Sequence, residues 1–412
     1  MRIRLEKDLP VLLFVLVCAS TVAALPQVES AWKGVKEIYG QQDFGLRILR
    51  ELMLVVVIVY AMLEPRLRRG LFASSILAFL AIIGSYVLFE VTYALYLDLP
   101  LVVPMAGLRV FEYLPLALIG YVSSRLGTGE YVLIKFAQLL RYYLVLQAVL
   151  AIAQALWAPP LFGVSFLGGG RPFGTFVSPN LFGATMATCA LVFAVVPSMR
   201  PWLALSVFLA LLSGSRTAFI SALLVVFFQV YAVLRPRDRW ALVMPAPMLA
   251  VAALVLASSP MLSGRDDADP TQDGRIDLWQ RIFSDYVHDP MDVLFGWGLG
   301  LSSNTINILF GAEHFPGQFD SDSLYLFLLN GYGLLGLLAY LCFLWLSTRT
   351  SSHAHKGLIV MFIFVAGLTF NMWEYFPQNA MLMFLWGTVL GHGGKSVAPA
   401  MMSQPMYQRR FS

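Results

Sequence analysis

Charge is what this sequence has least of. Only 13% of its 412 residues are Asp, Glu, Lys or Arg, against about 25% in soluble domains. With a mean hydropathy of +0.73, that excludes a soluble globular chain and puts the protein in a bilayer. Cysteine is scarce as well. Cys18, Cys189 and Cys342 each sit in an apolar run, so neither a disulfide framework nor a cysteine metal site is suggested. A formal net charge of +4 leaves no basic excess of the kind that reads as nucleic-acid binding. The alternating pattern of a membrane β-barrel is missing too, as are strong internal repeats and low-complexity tracts.

What is there is one apolar run after another. Candidate crossings lie near 9–25, 46–63, 71–91, 101–122, 136–157, 181–197, 201–213, 217–234, 240–258, 323–347, 357–371 and 378–391. A crossing helix needs about 20 residues, and several of these are short. The fold class is an all-α polytopic membrane protein with about twelve transmembrane helices. The first run, Met1 to Pro26, resembles a signal peptide in charge and length, but further spans follow it and it reads as an uncleaved first crossing. Arg2, Arg4, Lys7, Arg66, Arg68, Arg69, Arg125, Lys135, Arg200, Arg235, Arg237, Arg239, Arg349, Lys356, Lys395, Arg409 and Arg410 then fall on one side. By the positive-inside rule that side is cytoplasmic and holds both termini.

The chain divides accordingly into a membrane bundle over 1–258, a large outward loop over 259–322, C-terminal spans over 323–391 and a disordered cytoplasmic tail over 392–412. Ionisable residues collect in the loop, which carries sixteen Asp, Glu, Arg and His side chains. Ile276, Trp279, Phe283 and Tyr286 recur in it at helical spacing, the mark of an amphipathic helix at the membrane surface. Its run Arg265 to Gly274 fails the calcium-loop template, having no turn glycine and no closing glutamate; no metal site is expected.

Three arginines stand out on the outward side. Arg216, in Leu212-Ser-Gly-Ser-Arg216-Thr-Ala218, lies between two apolar runs. A guanidinium near membrane depth costs about 2.5–3.5 kcal/mol on insertion scales, which is tolerated at an interface by snorkelling or repaid by a partner. Arg171 follows three glycines, which make either a flexible re-entry or a backbone cradle for an anion. Arg275 opens the amphipathic helix, where positive charge opposes the helix dipole unless an anion joins it. Asp320, Asp322 and Tyr325 flank the next span. A carboxylate facing these arginines is a candidate general base, and Tyr325 and Asn180 are candidates for substrate contact. Arg109 and Glu112, three apart in the fourth span, are spaced to pair inside the bundle.

These motifs resemble the O-antigen ligase and O-antigen polymerase superfamily. The resemblance is carried by Arg171-Pro-Phe-Gly-Thr-Phe176 with Pro179-Asn180, Ser213-Gly-Ser-Arg216, Gly274-Arg-Ile-Asp-Leu-Trp279, Phe295-Gly-Trp-Gly298, and Asp322-Ser-Leu-Tyr-Leu326 with Gly333 and Gly336. It covers roughly 161–346. It implies a metal-independent, cofactor-free, GT-C-like glycosyltransferase of the bacterial inner membrane. Its substrates would be an undecaprenyl-diphosphate-linked glycan donor and a glycan acceptor, met at the membrane lipid on the periplasmic side. A chain-length regulator and a flippase are the protein partners it implies. It also implies that Arg216 and Arg275, with Arg171, hold the diphosphate. In the ligases a His-Asn pair stands where Asp322-Ser323 stands here; the departure tilts the expectation from ligase to polymerase. An ordinary aspartate titrates near about 3.9 and nearby arginines lower that, so Asp322 serves as a base with late proton transfer or as a positioning group. The rival class is a lipid-linked oligosaccharide transporter, for which inverted repeats and broken helices around a midplane site are expected.

Overall fold

The computed structural model describes residues 5–32, 44–159, 165, 167–176, 178–233, 280, 290–311, 314–315, 318, 323–350, 355–373 and 375–392. Among these the regular elements are helical, with no β-strand. In chain order they are α1 (Leu5–Trp32), α2 (Phe44–Leu63), α3 (Pro65–Leu71), α4 (Ser74–Tyr96), α5 (Val102–Gly107), α6 (Leu114–Arg125), α7 (Gly129–Trp157), α8 (Pro179–Val195), α9 (Pro201–Leu212) and α10 (Arg216–Val233). After the loop come α11 (Pro290–Phe295), α12 (Asn304–Phe310), α13 (Leu324–Thr350), α14 (Lys356–Thr369) and α15 (Gln378–Gly391). The candidate span 240–258, the amphipathic stretch 276–286 apart from Gln280, and the tail beyond His392 lie outside the described residues. The other candidate crossings fall on helices.

Among the described residues, four helical stretches are long and apolar enough to cross a membrane: Ser74–Tyr96, Val102–Arg125, Gly129–Trp157 and Leu324–Arg349. Together with shorter apolar helices they describe a multi-pass membrane protein. The run expected as one span at 101–122 is interrupted. A 3₁₀ turn over Leu108–Phe111 separates α5 from α6, and proline stands in the first turn of α6, where it brings a preset φ and no N–H. Arg109 and Glu112 meet at this break, Nε to Oε2 at 3.8 Å, and Arg109 also donates to the Thr305 hydroxyl. At 12 residues, α9 is roughly 18 Å long, well short of the ~30 Å hydrocarbon layer.

Burial separates the helices by role. Nearly every residue of α8 and α15 is buried, which fits helices apolar on all faces. At Gly387 of α15 an added Cβ would lie 1.9 Å from the Ala117 carbonyl oxygen of α6, and one at Gly120 would lie 2.5 Å from that of Phe384. Small residues thus let α6 and α15 touch backbone to backbone. α4 is the opposite case, with Ile82 and Leu88 about 70% exposed and turned to what must be lipid.

α13 is broken at Gly333 (φ 65°, ψ −172°), a conformation that favours glycine. The small residues from Asn330 to Gly336 allow close packing, and what packs there is the chain itself. An added Cβ at Gly333 would fall 2.2 Å from the Leu294 carbonyl. The carbonyls freed by the break find donors: Trp297 N–H bonds Asn330 O at 2.8 Å, and Tyr86 O–H bonds Tyr332 O at 3.1 Å. In a bilayer such groups have no water to turn to, so internal partners are obligatory. The Phe295-Gly-Trp-Gly298 motif is therefore a plug for a broken helix.

Candidate functional site

One end of the bundle gathers the ends of several helices. α9 finishes with Gly214 in the left-handed region (φ 65°), its N–H on the Leu211 carbonyl at 2.9 Å, a helix stop of the glycine type. The Ser213 hydroxyl donates to Ala210 O at 2.6 Å and accepts from Ser215 N–H at 3.1 Å. The chain has then reversed, and Arg216 is the first residue of α10. α8 presses on this turn, since an added Cβ at Gly183 would meet Ser213 Oγ at 2.3 Å.

Arg171 braces the same turn. It is only 8% exposed, and its Nε and Nη2 both donate to the Ser213 carbonyl, at 3.2 and 3.0 Å. The glycine run before it does not hold the arginine out on a flexible loop. Gly169 N–H and Gly170 N–H bond Ala155 O and Ala158 O at the end of α7, each at 2.8 Å. The structure thus joins Arg171 to the turn that carries Arg216, across 42 residues of sequence.

The segment after Arg171 is fastened by two side chains that sequence reasoning passed over. Gln154, fully buried on α7, accepts Phe173 N–H at 3.0 Å and Gly174 N–H at 2.7 Å, and donates to Gly174 O at 2.8 Å. Gln147 accepts Thr175 N–H at 3.1 Å and donates to its hydroxyl at 2.6 Å. Seven residues apart, they lie two turns apart on one helix face. That spacing in an otherwise apolar span was the available signal. A buried N–H left without a partner costs about 1–3 kcal/mol, so Gln154→Leu, which orphans two of them, should lower the melting temperature in detergent by several degrees. An unchanged melting curve would mean that the clamp carries no weight.

Other expected site residues are more scattered. Asn180 is exposed in the first turn of α8, which Ser178 caps by accepting Leu181 N–H at 3.3 Å. Tyr325 is half-buried in the first turn of α13, its hydroxyl donating to Phe364 O of α14 at 2.9 Å. Ser323 Oγ reaches Gly367 O at 3.3 Å beside it, so the start of α13 and the end of α14 stand together. Arg275, Asp320 and Asp322 lie outside the described residues. Among the described residues, no group of three or more His, Cys, Asp or Glu side chains is placed to hold a metal ion. His355 precedes α14 at the end away from Gly367; burial, and secondarily Arg200, holds its pKa below the usual histidine value.

The arrangement suits anion chemistry. The head of α10 carries an arginine and the positive end of a helix dipole, on a turn that is hydrogen-bonded from both sides. No curated protein and no solved structure matches the chain. A family model does: residues 201–341 match the model described as O-Antigen ligase. The match begins at α9, takes in the Ser213–Arg216 turn and ends within α13, while Arg171 and Asn180 fall before it. Over that stretch the chain is similar to the O-antigen ligase family, which supports the O-antigen ligase and polymerase superfamily to which its motifs point.

Proposed function

We propose that this protein is a glycosyltransferase that polymerises undecaprenyl-diphosphate-linked oligosaccharide repeat units, of O-antigen or exopolysaccharide, on the periplasmic face of a bacterial inner membrane. The observation that carries the reading is Arg216 at the head of α10, inside the matched stretch, on a turn held by Arg171. In the reaction an acceptor hydroxyl oxygen bonds to the anomeric carbon of the donor sugar. The bond from that carbon to the diphosphate oxygen breaks, and its electron pair leaves with the lipid diphosphate. Arg216 and Arg275 take up that charge, bidentately and without needing a metal. Asp322, with Asp320 as the lesser candidate, receives or orients the hydroxyl proton. Arg171 acts through the turn.

A second reading has an observation of its own. The matching family model is described as O-Antigen ligase, which favours transfer of the finished glycan to lipid A–core. The glycan profile of a deletion strain separates the two. Lipid A–core capped with single repeats is the result expected here, whereas free lipid-linked polymer would replace this reading with the ligase one. The transporter alternative gains nothing from the break in α13, because that break is filled by Trp297 and Tyr86 of the same chain.

Orientation is part of the proposal and has its own test. Ser302 sits centrally in the second half of the outward segment but is only 1% exposed. His314 is exposed and is the better reporter. In a background cleared of the three cysteines, His314→Cys should react with a membrane-impermeant thiol reagent in intact spheroplasts. Labelling only after the membrane is broken would reverse the topology.

A further inference from the structure

One side of α7 meets lipid, and charge stands on it. Val145, Leu146 and Val149 are exposed along that side. Toward the amino end it continues as Tyr131, Lys135, Gln138 and Tyr142, one stripe at helical spacing, with Arg141 beside it. This end of α7 lies where α6 stops at Arg125 and where α3 brings Arg66, Arg68 and Arg69, since an added Cβ at Gly70 would lie 2.3 Å from Val122 of α6. From Arg141 to Trp157, which is exposed at the other end, α7 rises only roughly 24 Å, short of the ~30 Å hydrocarbon layer. With Trp157 at one boundary, the backbone of Arg141 stands inside the other. Helical side chains lean toward the amino end, so Arg141 reaches back to the depth of the headgroups.

Neither cation on this side is neutralised. Lys135 Nζ donates to Gln138 Oε1 at 3.1 Å and lies 5.6 Å from the centroid of the Tyr131 ring. Arg141 Nη2 donates to the Tyr142 hydroxyl at 2.7 Å, with Cζ 4.7 Å from the centroid of that ring. Glu130 is exposed in the first turn of α7, yet among the described residues neither Lys135 nor Arg141 forms an ion pair. Arg141 Nε is buried and makes no hydrogen bond. Gln138 has its amide oxygen engaged by Lys135, which leaves its amide nitrogen to donate elsewhere. Two uncompensated cations and an amide donor, at headgroup depth and above an apolar face, are complementary to an anion that carries acyl chains. We propose that this face of α7 binds an anionic phospholipid of the phosphatidylglycerol type. Its phosphate oxygens accept from Arg141 and Gln138, Lys135 offsets the remaining charge, and its chains lie along Val145, Leu146 and Val149. A zwitterionic lipid brings an ammonium of its own, which these cations repel. The site is at the far end of α7 from the segment that carries Arg171, and it does not depend on the glycosyl-transfer reading.

The test is native mass spectrometry of the purified full-length protein, delipidated in detergent and titrated with phosphatidylglycerol or with phosphatidylcholine of the same acyl chains. The parent should bind its first phosphatidylglycerol about 10–30-fold more tightly, the effect of two basic side chains near a membrane surface. Joint replacement Lys135→Gln and Arg141→Gln should bring the ratio near one. Arg141→Lys should keep part of it, since the charge remains and the fork is lost. Arg68→Gln, which removes an exposed charge from α3 at the same end, should leave the ratio unchanged. Because the readout is a ratio within one preparation, partial loss of folded protein does not imitate it. Equal affinity of the parent for both lipids overturns the proposal. So does a fall in the Arg68 variant as large as in the double variant, which would make the preference a matter of net charge. Inorganic phosphate at the lipid's own concentration should displace nothing, because it has no chains to hold it at that depth; displacement would overturn the lipid as the occupant.

Discussion

Arg216→Ala is expected to lower glycan transfer by at least about 10²–10³-fold, the usual cost of losing one group that stabilises developing charge, with membrane levels at the parent's. Arg216 begins α10 on a turn whose preceding carbonyl is held by Arg171, so the backbone that carries it is fixed before substrate arrives. Arg216→Lys should recover only part of the activity, because an ammonium is a point charge where the guanidinium is a planar pair of donors. Arg275→Ala should match the alanine effect, since the resemblance pairs these two arginines on the diphosphate. The assay is polymer formation from purified lipid-linked repeat units. Parent rates in both alanine variants would remove them from the site.

Asp322→Asn should cut turnover by about 10²–10⁴-fold, the typical contribution of general-base catalysis, and leave donor binding unchanged. Asparagine keeps the size and a hydrogen bond but gives up the proton acceptor, so an effect on turnover alone isolates that role. EDTA should change nothing, because in the proposed mechanism arginines rather than a metal take up the charge of the leaving diphosphate. An Asn variant at the parent rate would reduce Asp322 to a helix-capping group. Inhibition by EDTA would bring the acidic run Arg265 to Gly274 back as a cation site.

Much of the fold was legible because one signal dominates a membrane chain. A run of apolar residues long enough to cross must be helical, since in lipid no other open segment satisfies its own backbone. Where crossings are incomplete, the signal fails. The stretch from Val102 to Arg125 is long and apolar enough to cross, yet it breaks at Leu108–Phe111. Glycine at 333 reads equally as close packing or as a break, and only the position of Leu294 decides.

Of the candidate site, residue type was legible and the contacts each residue makes were not. Arg171 and Arg216 announce themselves as charges beside apolar runs, and they do converge on one turn. That Arg171 grips a carbonyl from 42 residues on is long-range information that a local pattern does not contain. Gln147 and Gln154 show the same limit. Their types declare that partners exist, but the partners are backbone groups of the 173–175 segment, and backbone groups look alike in every sequence.

The break in α13 also bears on how the chain is made. The groups that complete it, Tyr86 and Trp297, together with Gly107, whose carbonyl receives the Tyr332 hydroxyl at 3.3 Å, all precede residue 330 in the chain. A ribosome delivers them first. When the interrupted helix enters the bilayer its missing bonds can be closed at once, by parts already translated, and no later segment has to be awaited while bare carbonyls face lipid. The gap itself is therefore closed without α14 or α15, which join a helix already sealed at its break and bond instead to its first turn.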